Sequence, residues 1–438
     1  MAENKIMNRW IIVAGAILIQ LSLGAIYAWS VFTGLLTNQA GPYKFTATQT
    51  QLIFSAGLAF FAVVMVIAGR MQAKVGPRPI ALAGGVVLGL GYILGGLFGT
   101  NFIMQLLCIG VIGGTGIGLA YVVPIAVCVK WFPDKKGMIT GFAVAGFGFG
   151  ATLWVKLGDS WFGGLLNNLD GMLGLPGVQA VFFVYGMTFL VLVVLGSLVM
   201  VNPPANYVPA GWTPPVAAAG GSTGQVDFTE RQMLKTPQFY MLWLTFMASA
   251  MAGLMVIGII KLFGIDALQA SGTAATANEA GIIAGTAMAL FAILNGLGRI
   301  IWGTISDKLG RKSSIVLMCF LQGIMLLAFY KMGGSKMGFI VGACIIGFNF
   351  GGNFALFASA TADFFGNKNV GLNYGYVFLS YGVAGIVGPQ IAGYFKDRAP
   401  VGTADVTVWL APMVIAGIAC RAVAVLMLAL KSPKAPQG

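Results

Sequence analysis

Arg299 is the residue with the clearest chemical potential in this chain. It lies in LFAILNGLGRIIWGTISDKLGRKS, residues 290–313, where an apolar run carries one guanidinium and no further charge until Asp307. A charge in such a run is costly unless something pairs with it. The planar fork of Arg donates two parallel hydrogen bonds to a carboxylate, so the chemistry on offer is recognition of an organic anion. Asn295 stands one helical turn earlier on the same face. Gly296 and Gly298 leave room beside it for a ligand or a close helix. The competing reading is snorkelling, since Arg299 is only eight residues, roughly 12 Å of helix, from Asp307. Asn349 and Asn353, also one turn apart, read either as cavity lining or as interhelical hydrogen-bonding groups.

Little else in the sequence offers chemistry. His is absent, and the five Cys at 108, 128, 319, 344 and 420 form no C-x-x-C pair. No metal site, disulfide framework or cofactor is expected from that set. No paired carboxylates and no Ser with a base stand in the apolar runs, so enzymatic activity is not expected. GIGLAY, residues 116–121, is no nucleotide fingerprint, because no strand precedes it and no acidic ribose partner follows.

The elements that must position Arg299 are membrane spans. Of 438 residues, 58% are hydrophobic and 8% charged, and the mean hydropathy is +0.89. A soluble chain carries roughly 25% charged residues, so the lipid bilayer is the expected surrounding. Twelve apolar stretches of helical length run over 10–34, 50–72, 78–99, 101–130, 137–160, 179–201, 236–263, 281–304, 313–330, 337–360, 371–395 and 406–430. In lipid only helices satisfy such backbones. The first stretch is too long for a signal core and reads as a retained helix. The fold class is an all-α polytopic membrane protein.

Charge orients the spans. With both termini inside, the inner side holds 16 of the 25 Lys and Arg and the outer side seven, while acidic residues divide six and six. The net charge of +13 is therefore an inner-face excess. Basic residues scattered over short loops give no nucleic-acid face. Residues 202–235 are rich in Pro, Gly and Ala, and read as a cytoplasmic linker between residues 1–201 and 236–438, each with six spans. The end of that linker, DFTERQMLKTPQF, reads as a surface helix capped by Thr229 or Asp227. Two six-span halves imply a transporter built from repeats, with a site near mid-membrane between them. Internal similarity agrees. GRMQAKVGPRP (69–79) and GTISDKLGRKS (303–313) match at Gly69 and Gly303, Lys74 and Lys308, and Gly76 and Gly310, and then carry Arg78 and Arg311. Asp307 is expected to accept from helix-end N–H groups or from basic residues across the cytoplasmic seam. The Gly-rich runs 111–121 and 141–150 have small-residue spacings that let helices approach closely.

These loops resemble the signature of the major facilitator superfamily. The chain resembles, nearly end to end, its oxalate/formate antiporter branch, through YAWSVF (27–32), KVGPRP (74–79), VKWFPDKKG (129–137), LKTPQFYMLW (234–243), GRIIWGTISDKLGR (298–311) and NYGYVFLSYG (373–382). A more distant likeness is to animal monocarboxylate transporters. The resemblance implies the superfamily fold, alternating access, moving half-to-half contacts at the Gly-rich runs 111–121 and 141–150, and gating loops at Gly69, Gly76, Arg78, Gly303, Asp307, Lys308, Gly310 and Arg311. Oxalate carriers have two basic residues in the cavity. One matches Arg299. The other is a Lys, where this chain has Tyr381. The family's aromatic pocket corresponds to Tyr27, Tyr121, Phe147, Phe350, Phe354 and Phe378.

One countercharge instead of two implies small monocarboxylates such as lactate, pyruvate or acetate. The alternatives are a dicarboxylate antiporter, or a membrane sensor of organic anions that does not transport. Animal relatives carry an acid four residues before their Arg, where this chain has Asn295. Proton symport and anion exchange both remain open, and Asp159, Asp266 and Glu279 are the acids nearest the outer ends. The expected setting is a multi-pass monomer in a bacterial inner membrane with both termini cytoplasmic.

Overall fold

Apolar runs of this length satisfy their backbones as helices, and the computed structural model consists of almost nothing else. It describes residues 7–132, 136–204, 207–209, 227–366, 369–399, 405–431 and 433. Helix α1 spans Arg9–Thr37 and tightens to a 3-10 turn at Gly24–Ala28. Then come α2 (Ala47–Val75) and α3 (Pro77–Phe98). Helix α4 runs from Phe102–Gln105 through π geometry at Leu106–Gly113 into Gly114–Trp131. Next are α5 (Lys136–Asp159) and α6 (Gly177–Leu198). The second set is α7 (Pro237–Ala270), α8 (Ala277–Leu309), α9 (Arg311–Met332), α10 (Lys336–Phe365), α11 (Val370–Lys396) and α12 (Val406–Leu428). Among the described residues, eleven of these are long and apolar enough to cross a membrane. The exception is α5, a 24-residue helix that carries Lys136, Lys156 and Asp159.

Local chemistry sets the ends. Thr46 starts α2 with a reciprocal capping box, its hydroxyl accepting from Gln49 N–H while the Gln49 side chain accepts from Thr46 N–H. Thr236 caps α7, followed by Pro237 at its first turn. Gly76 and Gly310 each end one helix and begin the next, at φ 86° and 82°. An L side chain is strained there, which explains the shared glycine of the two repeat loops. Gly69 and Gly303 carry no such constraint, since a Cβ at either meets no atom closer than 3.6 Å.

Of the expected linker 202–235, residues 205–206 and 210–226 lie outside the described residues, as do Pro133, Asp134 and Lys135 of VKWFPDKKG. The expected surface helix is a single turn, Glu230–Met233, capped by Thr229. Just before it, the Phe228 carbonyl accepts from the side chains of Asn369 and Asn373 at the start of α11.

Two expectations need correction. The glycines of α4 do not lie between the first six and last six helices. A Cβ on Gly114 would sit 2.4 Å from Gly57 O of α2, and one on Gly116 would sit 2.3 Å from Leu88 N of α3. In α5, Gly150 packs on Leu21 of α1, and among the described residues of the run only Gly148 faces α8, with Ala292 O at 3.0 Å and Gly296 N at 3.1 Å. Small residues recur wherever helices touch, so composition alone does not say which helix is the neighbour. Among the described residues Asp307 likewise reaches no partner across the seam. It pairs with Arg311 at 2.8 Å, and Arg311 also bonds Asp363 at 2.9 Å and the Ser306 hydroxyl. All four residues belong to α8, α9 and α10, because the turn at Gly310 places Arg311, the first residue of α9, beside the end of α8. Arg78 and Lys308 are exposed.

Two long seams join the helix sets. Along α2 and α11, Leu58 packs onto Gly385, Ala62 onto Gly382 and Thr48 onto Gly393. Along α5 and α8, Thr152 donates to Ala289 O at 2.9 Å and Lys156 to Thr286 at 3.0 Å. Lys156 thus sits on α5, and Lys261 on α7. Lys261 forms an ion pair with Asp159 of α5. Asp397, at the end of α11, accepts from Ala47 N at 2.7 Å and Thr48 N at 2.9 Å, capping α2 from the other helix set.

Candidate functional site

Arg299 lies between these seams, 2% exposed. Snorkelling does not describe it. Its Nε and Nη2 donate to Asn295 Oδ1 at 3.3 and 3.1 Å, as the one-turn spacing on α8 predicts. Its Nη1 crosses the seam to the Val144 carbonyl of α5 at 3.0 Å. The guanidinium also stands 4.0 Å from the Phe354 ring centroid and 5.8 Å from that of Phe147. Such contacts contribute about 0.5–2 kcal/mol each and do not neutralise the charge. No described carboxylate comes within ion-pair distance of it. The site is a desolvated cation held in a fixed pose by neutral groups, which is the electrostatic condition for binding an anion.

Backbone approach fixes that pose. A Cβ on Gly351 of α10 would lie 2.0 Å from Asn295 O, and one on Gly298 would lie 2.0 Å from Phe348 O. Helices α8 and α10 therefore touch through their main chains beside Asn295 and Arg299. The Asn295 Nδ2 is buried without a partner, a donor free for a ligand oxygen beside the guanidinium.

The aromatic residues expected from the family pocket converge on the same place. Tyr27 of α1 and Tyr381 of α11 join hydroxyl to hydroxyl at 2.7 Å. Tyr27 packs edge-on to Phe147 at 5.0 Å and lies 5.8 Å from Phe350. Tyr121 lies 5.5 Å from Phe147. Phe378 stacks on Tyr381 at 4.8 Å, and Phe354 lies 5.5 Å from both Phe350 and Tyr381. All nine expected residues thus form one buried cluster contributed by α1, α4, α5, α8, α10 and α11.

Phe61, Phe246 and Tyr374 belong to the cluster and were not anticipated. Phe61 of α2 contacts Tyr121 at 4.9 Å, Phe378 at 5.5 Å and Tyr381 at 5.9 Å. Phe246 of α7 lies 6.4 Å from Tyr381, and Tyr374 of α11 lies 5.7 Å from Phe378. For Tyr374 a signal existed, since it is the Tyr of the NYG motif. A lone Phe in an apolar run carries none. Asn349 and Asn353 are buried, and Asn353 donates to Phe350 O at 3.1 Å.

The acids considered for coupling have other partners. Asp159 pairs with Lys261. Asp266 accepts from Lys396 at 2.5 Å and from the Trp409 indole at 2.8 Å. Glu279 accepts from Ala275 N at 3.0 Å at the start of α8. Among the described residues no three His, Cys, Asp or Glu cluster as a metal site would require.

The sequence profile of the Major Facilitator Superfamily matches residues 8–389 and 266–438. An uncharacterized MFS-type transporter of Escherichia coli, YhjX, is 32% identical over 88% of this chain and 87% of its own length. The oxalate:formate antiporter of Oxalobacter formigenes is 26% identical over 87% of this chain and 83% of its own. Apicoplast pyruvate carrier 1 of Toxoplasma gondii is 25% identical over 74% of this chain and 66% of its own. A crystal structure of a bacterial homologue of the human lysosomal transporter Spinster, inward-facing and occupied, shares the fold at a TM-score of 0.69 and 16% identity, covering 96% of each chain. With helices long enough to span the bilayer and an extensive match to the family profile, the chain belongs to the major facilitator superfamily and is a multi-pass membrane transporter, not an enzyme.

Proposed function

We propose that the protein is a secondary transporter of small monocarboxylates. It works by alternating access between two six-helix halves, residues 1–201 and 236–438, joined by the linker 202–235, with α5 as the twelfth span. The α2–α11 and α5–α8 seams are where the halves part. One observation carries the reading: Arg299 is buried between the two helix sets, and no described carboxylate pairs with it. Arg299 anchors the substrate carboxylate, with Asn295 holding its fork and offering Nδ2. Tyr27 and Tyr381 offer hydroxyls, and Tyr121, Phe147, Phe350, Phe354 and Phe378 enclose the apolar end.

The relatives that transport oxalate and formate or pyruvate support a carboxylate as cargo. Tyr381 favours a single carboxylate, because a second would meet no cation there. The branch is that of the oxalate/formate antiporters. The protein acts as a monomer in a bacterial inner membrane, termini inward, exchanging anions or moving them with protons. The repeat-loop residues Gly69, Gly76, Arg78, Gly303, Asp307, Lys308, Gly310 and Arg311 form the elbows on which the halves rock.

Uptake into proteoliposomes tests the reading. Labelled lactate, acetate and formate should enter saturably, and oxalate far less. Acid outside anion-free vesicles should drive accumulation under symport, whereas exchange requires an internal anion. Oxalate entering faster than lactate would overturn the single-charge argument.

A further inference from the structure

Arg421 is another arginine set well inside a span, and the cluster around Arg299 does not include it. It stands on α12 seven residues before the helix ends at Leu428, roughly 10 Å of helix inside that end. A cation at such depth is costly unless something pairs with it. Among the described residues no hydrogen bond, ion pair or aromatic ring engages it. Neither α9 nor α12 contains an acidic residue.

The side chain occupies a groove that opens to lipid. Its stem lies against Gly323 of α9, where a Cβ would fall 2.7 Å from Arg421 Cγ and 2.7 Å from Gly417 O. Along α12 its neighbours Ile418 and Val425 are 54% and 67% exposed, and Phe320 and Ile324 of α9 are exposed as well. Arg421 itself is half-buried. In a bilayer these faces meet acyl chains, so the group that neutralises the guanidinium comes from the lipid side.

Two lysines add to the charge. Gly323 meets Gly417 and Arg421, and Leu327 meets Gly417, so the helices run antiparallel in a register that brings Lys312 level with Leu430. Lys312, on the first turn of α9, and the exposed Lys431, just beyond α12, therefore flank one end of the groove. They stand about ten residues, roughly 15 Å, from Arg421. Long side chains reaching toward one another over that distance can close around a phosphate.

We propose that this groove binds an anionic phospholipid, its phosphate held by Arg421 and an acyl chain laid between α9 and α12, in the leaflet where α9 begins and α12 ends. The guanidinium fork pairs with two phosphate oxygens. Any phospholipid offers that phosphate, and the two lysines favour a headgroup with net negative charge.

The test titrates the protein, purified in a neutral detergent, with phosphatidylglycerol or with phosphatidylcholine and follows the thermal midpoint. Wild type should be stabilised at lower mole fractions of phosphatidylglycerol. Arg421→Gln should raise the phosphatidylglycerol needed for half the shift by about tenfold, as loss of a hydrogen bond between charged groups predicts. Lys312→Gln and Lys431→Gln should each raise it by about fivefold. Arg398→Gln, an exposed residue just beyond α11 at the opposite face, should leave the preference unchanged. Inorganic phosphate has no acyl chain to seat and should not stabilise wild type. If it replaces the lipid, the groove takes free anions and the proposal fails. Equal responses of wild type to the two lipids, or an undiminished preference in Arg421→Gln, also overturn it. If Arg421→Gln does not fold, the double variant Lys312→Gln, Lys431→Gln decides, since it alters charge only at the end of the groove. An undiminished preference there overturns the proposal too.

Discussion

Two arginines twelve residues apart show what burial and pairing mean in this molecule. Arg311 opens α9 at the end of the repeat loop, with Asp307, Asp363 and Ser306 around it. Its charge is spent on holding α8, α9 and α10 together. Arg299 is nearly inaccessible and has a carboxamide, a peptide carbonyl and aromatic faces for company. The protein surrounds the more exposed cation with carboxylates and leaves the buried one without. Stability alone would favour the reverse, since an unpaired buried charge costs several kcal/mol. The difference fits the proposed roles, with Arg311 bracing helices and Arg299 anchoring substrate, because a cation reserved for a passing anion must not own a permanent one.

The strongest way to break this contrast is to remove each charge in turn. Arg299→Ala should reduce carboxylate uptake by a hundredfold or more, the order expected when a charged anchor of about 3–5 kcal/mol is lost. Its thermal midpoint should fall little or rise, because a desolvated charge has gone. Arg299→Lys should retain a weak remnant, a point charge without the fork. Normal uptake by the alanine variant would end the assignment.

A smaller effect should come from adding a cation. Tyr381→Lys places a second charge in the cluster and breaks the hydroxyl bridge to Tyr27. Monocarboxylate binding should weaken by about 1–4 kcal/mol, and the oxalate-to-lactate ratio should rise. Competition binding in detergent measures it, and an unchanged ratio argues that position 381 does not face the substrate.

The smallest effects belong to the paired arginine. Asp363→Asn removes one of its two acids, and a half-exposed pair contributes about 1 kcal/mol or less. The thermal midpoint should drop by a few degrees at most, with substrate selectivity untouched. A change in which acids are carried would erase the distinction between the two arginines.

Legibility in the sequence depended on the range of each interaction. Asn295 could be assigned to Arg299 because four residues of helix fix their geometry. Gly76 and Gly310 could be singled out because the backbone at a sharp junction demands glycine. Asp363 could not be matched to Arg311, 52 residues away, since nothing local marks which acid lies across the bundle. Phe61 and Phe246 were invisible for another reason. In lipid both faces of a helix are apolar, so the alternation that reveals a core face in a soluble protein is missing. The assignment of α4 glycines to the seam failed on the same ground. The aromatic residues that were anticipated came from resemblance to a family pocket, which carries tertiary information that periodicity lacks.

Gly76 and Gly310 bend the chain alike, yet their C-terminal neighbours differ in kind. After Gly76 comes Pro77, with its φ already set for a helix. After Gly310 comes Arg311, held by ion pairs. Covalent stiffness does not respond to dissolved ions, whereas charges near a surface are screened within about 10 Å at 0.1 M and about 3 Å at 1 M salt. Ionic strength is therefore a handle on one elbow only. Concentrated salt should loosen the junction of α8 and α9 and leave that of α2 and α3 as it was, so a single carrier can be softened on one side without altering a residue.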